Sequence, residues 1–420
     1  MIVDDHAALI GTLAASLGLA FPCALVAMRL KLPPILGYLV AGIVVGPFTP
    51  GYVADGGLAS QLAEVGVILL MFGVGLHFSI ADLLAVRRVA VPGAIVQIAL
   101  ATLGGAALAH AWGWPWGHGL VFGLALSVAS TVVLLRALED RGLVQSDEGR
   151  LAVGWLIVED LLTVIALVLL PVVAPSLGGT VTNAGDTDLA TAVLLTLAKV
   201  AGFVVTMRVV GRRAIPWLLS RAVRTGSREL FTVGVLAVSL GIAVGAALLF
   251  DVSFALGAFF AGVIVADSEY GHDAAEHALP LQDAFAVLFF VSVGMLFDPR
   301  VLLERPLEVA STVAVIVCGK SAAAWALLRA FGRPAREARL VAASLAQVGE
   351  FSFILVALGR DLGLLGDEAQ SLVVAGAIIS IALNPLLLAF VAPRTGTPSQ
   401  PAARSGPSTT SATHVVGRTT

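Results

Sequence analysis

From about residue 7 to residue 392 the chain alternates long apolar runs with short polar breaks. Within each run the apolar residues occupy every position rather than every second one. The runs therefore read as helices in an apolar medium and not as the strands of an outer-membrane barrel. A hydrocarbon core about 30 Å thick takes roughly 20 helical residues. On that ruler thirteen candidate spans lie at 7–28, 34–49, 62–79, 89–111, 119–137, 151–174, 189–210, 230–250, 253–267, 284–297, 308–330, 340–358 and 368–392. The pattern predicts an all-α polytopic membrane protein.

Composition agrees. Of 420 residues, 58% are hydrophobic and 13% charged, and the mean hydropathy is +0.97, more apolar surface than a soluble domain can hide. A net charge of −3 and 7% aromatics leave no basic field or stacking platform for nucleic acid. Cys23 and Cys318 lie in separate apolar runs without Cys or His partners at metal spacing, so no disulfide framework, metal site or cofactor is expected. The N-terminal MIVDDHAALIG is acidic where a secretory signal is basic, so the first run is expected to stay as a span.

The basic residues orient the spans. With the N-terminus outside and the C-terminus cytoplasmic, twenty Lys and Arg fall in inner segments, among them Arg29, Lys31, Arg136, Arg141, Arg212 and Arg213. Only Arg300, Arg305 and Arg360 fall outside. Trp112, Trp114 and Trp116, with Asp186 and Asp188, mark outer segments. The inner stretch 266–283 has no Lys or Arg and runs against the scheme. The expected location is the inner or plasma membrane.

Two segments recur. LGYLVAGIVVGP at 36–47 aligns with LGAFFAGVIVAD at 256–267, and EVGVILLMFGVGLHFS at 64–79 with DAFAVLFFVSVGMLFD at 283–298. An odd number of spans separates the copies, so they run in opposite directions. That predicts two inverted six-span repeats, 7–174 and 230–392, with the seventh span as linker and a site where the halves meet.

Ionisable residues deep in a span cost roughly 2.5–3.5 kcal/mol on insertion scales and are functional candidates. Glu159 and Asp160 sit near the middle of the sixth span, projecting about 100° apart on one helix. Adjacent acids repel, which suits them to trade a proton for a cation. Lys320, one of only three lysines, lies deep in the eleventh span and is a natural ion-pair partner for either acid. Lys199 also lies within a span and reads as structural or membrane-facing. Gln347 and Glu350 flank Gly349 in the twelfth span, and Ser127, Ser130 and Thr131 hold the equivalent place in the fifth. Polar residues with glycine in membrane helices mark unwound segments that line ion sites, although Ser127 is equally read as glue between helices. Asn384 and Pro385 take the repeat-equivalent place of the two acids. His77, His272 and His277 lie near inner ends, where histidines can sense pH.

The ordered series PPILGYLVAGIVVGP, AEVGVILLMFGVGLHFS, ASTVVLLRALED, GWLIVEDLLTVIALVLLP, LGAFFAGVIVADSE, LPLQDAFAVLFFVSVGMLFDP and SLAQVGEFSFIL resembles monovalent cation:proton antiporters. The match is to the Kef-type branch and its YbaL/RosB-like subgroup, and it extends over about 7–392. The resemblance implies a thirteen-helix sodium/proton antiporter-like fold, with a dimerisation part, a mobile core and discontinuous crossing helices. It also implies elevator-like exchange and a homodimer in membrane lipid. It puts the ion- and proton-binding aspartate on Asp160, with Glu159 as the variable residue before it and Lys320 as the core lysine. The crossings fall around Ser130 and Thr131 and from Gln347 to Glu350. Potassium is the expected cation, with sodium as the alternative.

Two features depart from the family pattern. The acid before Asp160 is Glu, where well-known sodium antiporters have Asp or Asn and glutathione-gated potassium systems have Gln. Many Kef-type proteins continue into a nucleotide-binding domain, whereas residues 393–420 are rich in Pro, Ser and Thr and have no GxGxxG. That segment reads as a disordered cytoplasmic tail following a transport domain of residues 1–392, with no nucleotide-binding domain in this chain. A channel lacks a filter motif here, and an intramembrane enzyme lacks GxSxG or HExxH. A proton-coupled transporter of small organic solutes is the nearest alternative.

Overall fold

A computed structural model of the protein describes residues 5–50, 53–77, 80–144, 146–180 and 189–391. Asp186, Asp188 and the tail at 393–420 lie outside the described residues. All regular structure among the described residues is helical. The first half holds α1 (Asp5–Arg29), α2 (Pro34–Val45), α3 (Gly56–His77), α4 (Ile80–Ala111), α5 (Trp116–Ser127), α6 (Thr131–Glu139) and α7 (Asp147–Val173). Next come α8 (Leu189–Thr206), α9 (Arg212–Arg224), α10 (Arg228–Phe250), α11 (Phe254–Ala266) and α12 (Gly271–Met295). The rest is α13 (Val301–Glu304), α14 (Pro306–Ala314), α15 (Lys320–Ala330), α16 (Ala335–Ser344), α17 (Glu350–Asp361) and α18 (Asp367–Val391). Short π-helical turns join α8 to α9 and α14 to α15.

Ten helical stretches among the described residues are long and apolar enough to cross a membrane. The expected spans at 34–49 and 253–267 fall on the shorter apolar helices α2 and α11, and that at 340–358 falls on the broken pair α16 and α17. Helix starts follow ordinary capping chemistry. Pro34 opens α2, and the hydroxyls of Ser146, Ser227 and Ser253 accept from the first turns of α7, α10 and α11, taking N–H groups that have no intrahelical partner.

Three boundaries differ from the apolar pattern. Helix α4 starts before residue 89 and α12 before residue 284, because the polar residues that precede each run are still compatible with helix and, in α12, Ala274 and Ala278 are buried. The span expected at 189–210 continues past its arginines into α9, since charge alone does not stop a helix. There Ile215, Leu219 and Ala222 make one buried face.

The helices pack in two groups. In one, α3 lies against α11 and α12, and α2 against α1 and α12; in the other, α4 packs on α5, α7 and α15, α16 on α15 and α18, and α17 on α5. In the first group two backbone crossings need glycine. A Cβ on Gly42 would meet the Gly294 Cα at 2.8 Å, and one on Gly75 would meet the Gly262 Cα at 3.0 Å, closer than carbon atoms approach. The sequence alignment maps Gly42 onto Gly262 and Gly75 onto Gly294, so each contact is the image of the other.

Candidate functional site

Two apolar helical stretches break and touch at their breaks. Helix α5 ends at Ser127; Val128 and Ser130 are extended, at φ −93°, ψ 128° and φ −80°, ψ 123°. Helix α6 then restarts with Ser130 as its cap, the Ser130 Oγ accepting from Val133 N at 3.3 Å. Its counterpart α16 ends at Ser344, and α17 restarts at Glu350 after an extended Gly349. The two breaks touch: a Cβ at position 349 would overlap Ser130, so only glycine allows the approach.

Breaking a helix in an apolar interior frees backbone groups that must find partners, and side chains take most of them. Gln347 Oε1 accepts from Ser130 N, and Gln347 Nε2 donates to Ser130 O, both at 3.0 Å. Ala129 N donates to Glu159 Oε2 at 2.9 Å. Lys320 Nζ donates to Gln347 O at 3.0 Å, and Ser352 Oγ donates to Val128 O at 3.5 Å. Gln97 Nε2 donates to Ser127 O while its Oε1 accepts from Trp155 Nε1, both at 3.2 Å.

The carboxylates surround this knot. Asp160 Oδ2 accepts from Thr131 Oγ1 at 3.0 Å, and Glu350 Oε2 accepts from Ser130 Oγ at 3.0 Å. Asp160 Oδ1 and Glu159 Oε1 are buried without a partner. Glu159 and Lys320 are 0% exposed, Glu350 1% and Asp160 5%. The restarting ends of α6 and α17 carry positive helix-end potential, and the stopping ends of α5 and α16 carry negative. The acids stand with the first and the lysine with the second.

Seven of the residues singled out in the sequence (Ser130, Thr131, Glu159, Asp160, Lys320, Gln347 and Glu350) therefore meet in one place. The expected ion pair of Lys320 with Glu159 or Asp160 is not formed. The broken helix offers the free Gln347 carbonyl, and the ammonium takes it. Fully ionised, three acids and one lysine leave two uncompensated negative charges, and isolated buried charges cost several kcal/mol each. Protons or cations are the natural compensation.

Other candidates stay outside the knot. Ser127 Oγ donates to Leu124 O of its own helix at 2.7 Å. Lys199 pairs with Asp251 at 3.0 Å. His77 bonds the Gly73 carbonyl, and His277 bonds Thr232. Asn384 Nδ2 donates to Ala343 O at 2.8 Å, so α18 reaches the end of α16 beside that break. The described residues contain no group of His, Cys, Asp and Glu suited to a resident metal. Gln97, Trp155 and Ser352 were not legible as site residues. The one available signal was a lone amide in the apolar run around Gln97.

A cavity of about 620 Å³ opens between the two packing groups. Glu64, Leu167, Asp251, Phe353, Asp361 and Gln370 are among its walls.

The family model described as sodium/hydrogen exchanger, transmembrane, matches residues 16–393. A relative from Escherichia coli (strain K12) named as a cation/proton antiporter, YbaL, is 58% identical over 386 residues, which is 91% of this chain and 68% of that protein. The glutathione-regulated potassium-efflux system protein KefC of Cronobacter sakazakii is 31% identical over 87% of this chain, and K(+) efflux antiporter 4 of Arabidopsis thaliana is 32% identical over 89%. The chain spans only 58% and 61% of the length of those two. Among solved structures, the sodium proton antiporter MjNhaP1 from Methanocaldococcus jannaschii at pH 8 has a TM-score of 0.68 at 15% identity. The match covers 91% of this chain and 97% of that one and shows a shared fold.

Proposed function

The chain belongs to the sodium/hydrogen exchanger transmembrane family, and we propose that it exchanges a monovalent cation, potassium ahead of sodium, for protons by alternating access. It is a multi-pass membrane transporter and not an enzyme. The observation that carries the reading is the pair of unpartnered carboxylate oxygens, Asp160 Oδ1 and Glu159 Oε1, beside two broken helices.

In this reading Asp160 is the shared site. Its Oδ2 is held by Thr131, which leaves Oδ1 for either a proton or a partly dehydrated cation. Occupancy by one excludes the other, and that competition is the coupling. Glu159, held by the Ala129 N–H, supplies the second carboxylate. Glu350 and Lys320 offset the charge of the helix ends at the crossing, and Gln347 keeps the two breaks in register. The repeat-related glycine contacts support an inverted repeat, and the distribution of Lys and Arg supports an outer N-terminus and a cytoplasmic C-terminus; thirteen crossings and a homodimer complete the proposed arrangement. The names of the KefC and Arabidopsis relatives support potassium.

The test is proton movement in sealed proteoliposomes carrying a pH-sensitive dye, with potassium, sodium and lithium added in turn. Potassium-dependent proton flux that saturates is expected. A response to sodium alone would overturn the ion assignment, and flux competed by small organic anions instead of cations would overturn the exchange reading.

A further inference from the structure

The opposite end of α18 borders a second cavity, of about 770 Å³. Its walls include Lys31 in the α1–α2 turn, Arg136 on α6, Asp140 and Arg141 just beyond it, and Asn384 and Pro385 on α18. Three cations face one carboxylate there, a formal excess of two positive charges at the mouth of a protein whose core site is acidic. Arg141 is fixed in the wall, its Nη1 donating to Ala137 O at 2.9 Å and its Nη2 to Pro385 O at 3.5 Å. Asn384 is 0% exposed, and its Oδ1 has no partner.

The same cavity has an apolar side. Leu30 and Leu386 belong to its lining and are 66% and 59% exposed, which in a membrane-crossing chain means contact with acyl chains. A soluble anion would use the basic wall only. An amphiphile with an anionic head group would use both walls.

We propose that this cavity binds the head group of an anionic phospholipid, its phosphate against Lys31 and Arg136 and its acyl chains along Leu30 and Leu386. Basic pockets between membrane helices recognise lipid phosphates in this way. A bound lipid would tie the α1–α2 turn, in one packing group, to α6 and α18 in the other. The proposal does not depend on which ion is exchanged.

The test is the melting temperature of the purified full-length chain in detergent, with added phosphatidylglycerol, phosphatidylcholine or inorganic pyrophosphate. Native mass spectrometry counts the bound lipid. Phosphatidylglycerol is expected to stabilise and phosphatidylcholine not to. In a Lys31→Gln, Arg136→Gln double variant the apparent affinity should fall about tenfold or more, the scale of losing charge-assisted hydrogen bonds. Both side chains are exposed, so without lipid the variant should melt with the parent; Arg136→Lys, which keeps the charge, should retain part of the effect. Stabilisation by pyrophosphate without a lipid effect would reassign the cavity to soluble phosphates and overturn the lipid. A phosphatidylglycerol effect intact in the double variant, or no response to any of the three, would overturn the site itself.

Discussion

Gln347 holds Ser130 by both of its backbone groups, accepting from the N–H through Oε1 and donating to the C=O through Nε2, each at 3.0 Å. The two residues lie on different broken helices, and both are buried. The amide thus replaces the hydrogen bond that an unbroken helix would have made to Ser130 N, and adds a second donor to Ser130 O, which also accepts from Leu134 N at 3.2 Å. Replacing it by leucine strands the buried Ser130 N–H, at a cost of about 1–3 kcal/mol, and removes one of the two donors to Ser130 O. Gln347→Leu is expected to lower the melting temperature by several degrees and to remove transport. A variant that melts with the parent and transports normally would show that the clamp is dispensable.

Gly349 makes the crossing possible. Because a Cβ there overlaps Ser130 backbone as well as side chain, Gly349→Ala must push the two breaks apart. Overpacking of this kind costs about 1–3 kcal/mol or more. The expected outcome is poor yield or early melting in a fluorescence-detected thermal assay, more severe than for Gly18→Ala, where the added carbon meets nothing within 4 Å.

Thr131 supplies the hydroxyl that holds Asp160 Oδ2. Thr131→Val keeps the shape and removes the donor. Hydrogen bonds to charged groups contribute about 1.5–3 kcal/mol, so the apparent KM for the cation should rise about tenfold or more, alongside a lowered melting temperature because Asp160 Oδ2 loses its donor. An unchanged KM would mean that the hydroxyl does not serve the bound state.

The pH response should arise in the buried knot and not in the loop after α12. There the Arg300 guanidinium, hydrogen-bonded to Asp298 at 3.0 Å, holds the Asp298 carboxyl below the usual carboxylate range. For an acid lowered by a partner, any stabilisation is present above its ordinary value and is lost only as pH falls through the lowered one, well below the range of transport. Asp298→Asn is therefore expected to leave the pH profile of exchange between about 6 and 9 unchanged. A displaced profile would move the sensor to this loop.

Much of this was visible in the sequence because the membrane makes composition informative. A lysine or a pair of acids inside an apolar run has few acceptable explanations, so Glu159, Asp160 and Lys320 stood out; polar residues beside Gly349 marked one break, and Ser127, Ser130 and Thr131 the other. Partners were harder to read. Lys320 was expected to seek a carboxylate and instead takes the Gln347 carbonyl, an acceptor that exists only because α16 stops short. Gln97 and Trp155 act through Ser127 O, and neither has a local pattern that announces this contact. The continuation of α8 into α9 was missed because arginines that end an apolar run do not end a helix.

The most direct test of exchange at the crossing compares proton flux driven by a potassium gradient in sealed proteoliposomes for the intact chain and for Asp160→Asn. The expected result is cation-dependent proton movement in the intact chain and its loss in a variant that still folds and reconstitutes. Full proton-coupled exchange in Asp160→Asn would contradict the assignment of Asp160 as the shared site.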